Sequence, residues 1–386
     1  MRKPGPGLGF NSTAALGGSA AVLFFAALGS ASPFATLVFD YTPAPGQNIN
    51  QSAFNDPAAA LGPPDGAGTL SPNNEDLVSL GGFGGSITLG FDHTVFDDPL
   101  NPFGLDAIVF GNAFYTGGDP TRRFAEAGII EISRDVNGNG LPDDPWYLIP
   151  GSSLPSVPDA AFTQPWDNDP NTPTPPANIA WYPDPDQYPS IPAAYSTSGF
   201  LLPTPFHGIP LVNPGGSGST KELYYGYADM SPVLVLGDLN ADNIVEDPSV
   251  LPEQFYTRPD NPFGVGVRPG SGGGDAFDIA WAVDPFTGEP ARLNGFDFIR
   301  ISTGANALAG ILGEISTEVS AVAATNAEPL FYDLNNDESL DLEDLYAWHQ
   351  VPADLSGDGT ADETDRLLVQ RAARAGEHLD TLGGQP

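Results

Sequence analysis

Proline and glycine punctuate this chain almost from end to end, 41 and 46 of them in 386 residues. Proline removes a backbone donor and fixes φ, and glycine weakens helix and strand interiors alike. Long helices are therefore disfavoured over most of the length, and short strands joined by long loops are expected. The apolar pattern agrees. Ile87, Leu89 and Phe91 alternate with Ser86, Thr88 and Gly90, and Ile130 and Ile132 alternate with Glu131 and Ser133. A period of two gives a strand one face in the core. Phe277, Ile279, Trp281 and Val283 alternate in the same way with Asp278, Ala280 and Ala282, which predicts a further strand. Ala107–Phe110 is a continuous apolar run, as in a strand covered on both faces, and Val233–Leu236 is a shorter run of the same kind. Phe296–Ile301 and the stretch around Ile315 to Val322 are expected to close the sheets.

One region breaks the pattern. Pro150 to Pro214 holds 16 prolines in 65 residues, with Trp166, Trp181, Tyr182 and Tyr188 among them. It reads as a long insertion, at about 150–222, lying over a β-sandwich that spans 36–325. Its aromatic residues either pin it to the core or form an exposed platform, and pinning is the commoner fate of large aromatics.

Charge and compartment come next. Acids outnumber bases 49 to 13, for a formal net charge of −36. Such a field repels phosphate backbones and anionic headgroups, so nucleic acid is excluded as an expected partner and membrane surfaces are disfavoured. It attracts cations. Arg2 and Lys3 precede the apolar, small-residue stretch Ala14 to Leu28, and Gly29-Ser30-Ala31 fits a signal-peptidase site. Residues 1–31 thus read as a signal peptide, which implies a secreted or cell-surface protein with no transmembrane span in the mature chain. The chain has no cysteine. An exported, loop-rich protein without disulfides needs another staple, and a bound divalent cation serves.

The C-terminal region supplies candidates for that role. Asp333, Asn335, Asp337, Asp341 and Asp344 occupy positions 1, 3, 5, 9 and 12 of a loop, and Asp354, Ser356, Asp358, Asp362 and Asp365 repeat the spacing 21 residues later. Ca2+ wants six to eight oxygens, and this spacing turns alternate side chains of a tight loop inward. Ser339 and Thr360, at position 7, would offer backbone carbonyls. Position 6 needs a left-handed residue; it is Gly359 in the second loop and Glu338 in the first. Helical patterns follow both loops. Two further segments carry the spacing inside the β-rich region: Asp135, Asn137, Asn139, Leu141 and Asp143, and Asp238, Asn240, Asp242, Ile244 and Glu246, at positions 1, 3, 5, 7 and 9. Neither has an acid at position 12, and an Asx-rich turn between strands is the alternative reading of each.

The stretches Asp333 to Leu345 and Asp354 to Leu368 resemble the paired loops of type I dockerin and related EF-hand-like modules of secreted bacterial proteins. The resemblance implies Ca2+ binding by a small α-helical module at 330–378, and docking to a cohesin-like or other surface protein. The larger region resembles bacterial cell-surface proteins with a galactose-binding-like jelly roll. The matching stretches are Asp56–Gly62, Val78–Gly81 with Gly85–Leu89, Ile108–Asn112, and Phe277–Ile279 with Phe298–Ile301. That resemblance implies a mainly β, extracellular ligand-binding scaffold, often for glycans, and carries over no ligand residues.

No catalytic constellation stands out. His93, His207, His349 and His378 are widely spaced, and Gly272-Gly273-Gly274 and Gly81-Gly82-Phe83-Gly84-Gly85 lack the lysine of a phosphate loop. With 49 acids present, no carboxylate pair can be singled out for glycoside hydrolysis. The leading expectation is an exported, non-catalytic Ca2+-binding protein for extracellular binding or surface assembly, with carbohydrate as a candidate ligand. A dockerin-bearing polysaccharide-degrading enzyme and a purely structural surface protein are the alternatives.

Overall fold

The computed structural model describes residues 31–44, 49, 51–120, 122–151, 162–167, 194–199, 211–212, 227–261, 266–304, 316–327 and 330–382. The expected signal peptide, and most of the proline-rich insertion with Trp181, Tyr182 and Tyr188, lie outside the described residues.

The fold is mainly β, with antiparallel pairing throughout the described sheets. A six-stranded sheet runs Leu37–Thr42, Ser86–Phe96, Gly295–Thr303, Gly128–Ser133 and Tyr227–Ala228, with Trp146–Ile149 also paired to Gly128–Ser133. A three-stranded sheet runs Asp275–Phe277, Ala107–Phe110 and Ala321–Ala324. Period-2 residues of both sheets meet in one core: Ile87, Leu89, Ile130, Ile132, Ile299 and Ile301 from the larger sheet, Val109, Phe277 and Val322 from the smaller. The continuous run Ala107–Phe110 is buried on both faces as its composition predicts. Val109 faces the shared core, while Ile108 and Phe110 join Leu234, Phe255 and Tyr256 in a second cluster.

Two local expectations change. Thr88 and Gly90 were expected on an open face, yet both are buried. A Cβ on Gly90 would come within 2.5 Å of the Phe39 ring, so the glycine is what lets that ring lie across the strand. The alternating run from Phe277 to Val283 does not continue as a strand. It ends at Phe277, and a single 3-10 turn spans Ile279–Trp281. The cause is Asp278, whose side chain accepts the Ala280 N–H and caps the turn, an Asx option that competes with the sheet ladder. Within the insertion, Phe162–Asp167 and Ala194–Gly199 pair as a two-stranded ribbon that accommodates Pro165, and Leu211–Val212 pairs with Arg122–Phe124. A two-stranded ribbon is all edge, which is where proline is tolerated.

Two helices, Leu342–Gln350 and Glu363–Leu382, follow the two C-terminal loops. Trp348, Val369, Ala372 and Ala373 are buried there, and the Trp348 indole N–H reaches the Ala353 carbonyl just ahead of the second loop. Among the described residues no helix is long and apolar enough to cross a membrane.

Candidate metal centres

All four predicted loops share one backbone design. Position 4 has positive φ in each (Gly138, Ala241, Asn336, Gly357), and so does position 6 (Gly140, Asn243, Glu338, Gly359). The left-handed kinks turn successive N–H groups inward, where the position 1 carboxylate collects them. Asp135, Asp238, Asp333 and Asp354 each accept the N–H of position 6, at 2.7, 2.9, 2.8 and 2.7 Å. The first three also accept the position 5 N–H, and Asp354 takes that of Gly357 instead. The amide oxygens of Asn137, Asn240 and Asn335, at position 3, each accept the position 5 N–H at 3.0 Å. Position 5 in turn accepts the N–H of position 7: Asn139 from Leu141, Asp242 from Ile244, Asp337 from Ser339 and Asp358 from Thr360. Ser356 holds position 3 of the last loop, with its hydroxyl on Asp354 at 3.4 Å.

Position 12 closes the two C-terminal loops. Asp344 accepts the Leu334 N–H at 2.8 Å and Asp365 that of Leu355 at 2.9 Å, so each ties the loop's end to its start. Position 9 is spent differently. Asp341 and Asp362 accept the N–H two residues on and cap the following helices, while Asp344 and Asp365 return a bond to the cap's own N–H. The two closing acids titrate in opposite directions. Burial dominates at Asp344 and lifts its carboxyl; at Asp365 the Asp362 N–H dominates and draws it down to about 2.

The two loops without a position 12 acid close by other means. In the first, Asp144 accepts the N–H of Val136, and Asp143 accepts from the side chains of Asn137 and Asn139. Those amides hold the Asp143 carboxyl below its ordinary range. In the second, Glu246 reaches back from position 9 to the Leu239 N–H at 2.8 Å. This fold-back brings Asp238, Asp242 and Glu246 together, with one carboxylate oxygen of each within 4.8 Å of the others. Those three acids could hold a metal ion.

Sequence reasoning missed two further acid groups, buried except for the half-buried Asp97. Asp97, Asp106 and Asp278 meet within 4.8 Å, as do Glu126, Asp229 and Glu318. Asp106 takes N–H bonds from Asp98 and Ile279, and its carboxyl is raised well above the ordinary range by burial, then by the charges of Asp97 and Asp278. Asp278 is pushed up to about 8 by burial and then by Asp97. In the other trio, Asp229 sits at φ +56, a strained conformation for a residue with a Cβ. It is held by the N–H groups of Asn112 and Glu318 at 2.7 and 3.1 Å, and Gly111 leaves the space it occupies. Burial moves Asp229 to about 6, and burial followed by Glu126 and Asp229 raises Glu318 well above its ordinary value. Asp275, also buried, is pushed up to about 7 by burial. Three carboxylates cannot all ionise in a dry interior, so each trio needs a proton or a cation to neutralise it. A signal for one of these groups was present: Asp278 is a lone acid inside the otherwise apolar run Ala276 to Val283.

No protein-family model matches the chain, and no curated protein matches it.

Proposed function

We propose that this protein is an exported, non-catalytic Ca2+-binding protein that works in extracellular binding or surface assembly. The observation that carries the reading is the N–H weave that four loops share around the position 1 aspartate. In each, a position 1 aspartate is fixed by inward N–H groups, with oxygen-bearing side chains at positions 3 and 5 beside it. Fixing the ligands before the ion arrives lowers the ordering cost of binding, and an all-oxygen set suits Ca2+ over transition metals. Asp135, Asn137, Asn139, Asp143 and the Leu141 carbonyl form one set, and Asp238, Asn240, Asp242, Glu246 and the Ile244 carbonyl the second. Asp333, Asn335, Asp337, Asp341, Asp344 and the Ser339 carbonyl form the third, and Asp354, Ser356, Asp358, Asp362, Asp365 and the Thr360 carbonyl the fourth.

The larger region is read as a jelly-roll scaffold, a reading supported by two antiparallel sheets sharing one core. The C-terminal loops and helices are read as an EF-hand-like module related to dockerins. A glycan is the ligand class proposed for the scaffold, and a cohesin-like or other surface protein the partner proposed for the module. Export by an N-terminal signal peptide completes the proposal.

The test is a CaCl2 titration of residues 32–386, with native mass spectra of the chelated and reloaded protein. Retention of Ca2+ in discrete steps, with Mg2+ unable to replace it, is the expected result. A chain that takes up no ion at millimolar CaCl2 refutes the reading. A glycan array run with and without chelator then tests the scaffold: loss of a defined sugar signal in chelator is expected, and silence in both conditions removes carbohydrate from the proposal.

A further inference from the structure

Glu338 stands where a loop of this kind favours glycine, and the structure shows what occupies its side chain. At φ +65 its backbone is in the left-handed region, with the N–H given to Asp333 at 2.8 Å. Its carboxylate leaves the loop and meets the Arg134 guanidinium at 2.9 Å and the Asn294 side-chain amide at 3.2 Å. Arg134 immediately precedes Asp135, the first residue of a different loop. The Asp135 N–H donates to Asp297 at 2.7 Å, and the other oxygen of Asp297 accepts from Thr94 at 2.6 Å and lies 3.6 Å from the Arg134 guanidinium. The same guanidinium lies 5.9 Å from the Phe96 ring, and Phe96 packs against Leu330, Leu340 and Ala372 of the C-terminal region. One arginine therefore touches position 6 of the Asp333–Asp344 loop, the carboxylate that anchors position 1 of the Asp135–Asp143 loop, and the apolar seat of the C-terminal helices.

We propose that Glu338, Arg134 and Asp297 form a latch that couples Ca2+ binding in these two loops. The proposal rests on the calcium reading above. An ion in the Asp333 loop draws its acids together and fixes the position 6 backbone, which aims Glu338 at Arg134. Without the ion, repulsion among Asp333, Asp337, Asp341 and Asp344 weakens the hold on the position 6 backbone, and the Glu338–Arg134 contact is made for a smaller share of the time. Arg134 and Asp297 pass that change to Asp135. Coupling of this kind is reciprocal, so an ion in either loop raises the affinity of the other. The Asp354–Asp365 loop has no contact with the latch residues among the described hydrogen bonds and serves as the internal reference.

The experiment is hydrogen exchange of the full chain against CaCl2, read separately on peptides covering 135–145, 333–344 and 354–365. Glu338→Gly removes the latch while suiting the left-handed backbone, and Arg134→Gln removes it from the other side. Both variants should shift the Ca2+ midpoint of 135–145 upward by about fivefold or more, a typical coupling factor, and leave that of 354–365 unchanged. Unaltered midpoints at 135–145 in both variants, with Ca2+ still protecting every loop, overturn the latch and leave the calcium reading standing. An equal shift at 354–365 marks a global effect and also overturns it. Absence of Ca2+ protection at any loop in the unaltered chain overturns latch and calcium reading together.

Discussion

The Asp238–Glu246 loop and the Glu126–Asp229–Glu318 trio contain the same chemistry, three carboxyl groups with oxygens within 4.8 Å. They sit in opposite environments. In the loop Asp242 and Glu246 are exposed and only Asp238 is covered, whereas all three members of the trio are buried. The exposed set lies in water, where mutual repulsion is screened and a cation can reach it from solution. The buried set has neither screening nor ready access, so its least costly state keeps protons. Proximity of acids is therefore not sufficient to define a cation site; what separates the two regions is how the charge is neutralised.

The largest effect expected from this contrast is that of Ca2+ on the loops. An ion bound only by the folded chain at about 100 times its Kd adds about 2.7 kcal/mol per site. Chelation should accordingly lower the melting temperature by about 4 °C for each loop filled, measured by calorimetry before and after EDTA. A melting curve indifferent to chelator would erase the distinction between the two regions.

Next in size is the pH dependence in chelator, where no cation competes. Asp229, Asp275 and Asp278 titrate near 6, 7 and 8 in the folded chain, all raised chiefly by burial. The folded state then holds protons that the unfolded chain has released, so their contribution is complete below the ordinary carboxyl value of about 4. It is lost as pH rises through 6, 7 and 8, the folded-state values of those three groups. The melting temperature should fall from pH 5 to pH 8, and a flat curve over that window would show that these acids are already ionised when folded. The lowered loop acids Asp143 and Asp365 have the opposite sign, losing their contribution only in stronger acid.

A sharper probe is Glu318→Gln, which keeps the shape but removes one charge from the trio. Stability at pH 8 should rise by about 1–2 kcal/mol in chelator while changing little at pH 5, because relieving one pKa unit is worth about 1.4 kcal/mol. Equal effects at both pH values would mean that the side chain acts through packing alone. The smallest expected change is that of Asp242→Asn. It leaves the position 7 N–H an acceptor but removes a charge from the exposed group, and a tenfold weaker Ca2+ affinity, about 1.4 kcal/mol, is expected without loss of apo stability. An unaltered titration would remove Asp242 from the ligand set.

The alternations around Ile87 and Ile130 were enough to place strands with a core face, and oxygen spacing was enough to mark the four loops, because both patterns are local. A strand's faces repeat every two residues and a loop's ligands every two positions, so neither depends on distant partners. Local patterns failed where a partner from elsewhere set the outcome. Phe39 and Phe298 cover the second face of Ser86–Phe96, and Asp278 diverts an alternating run into a turn.

By itself the sequence determined the mainly β class, the acidic field, the loop positions and the position 6 kink at Gly359. Only the tertiary structure decided which acids share an environment. Glu126, Asp229 and Glu318 are separated by scores of residues and meet because segments from three parts of the chain converge around Asp229, which lies against Gly111. The partner of Glu338 was equally beyond local reading, since Arg134 lies 204 positions away. Burial and long-range pairing are properties of the assembled core, and they set the charge state of each acid that the sequence could only count.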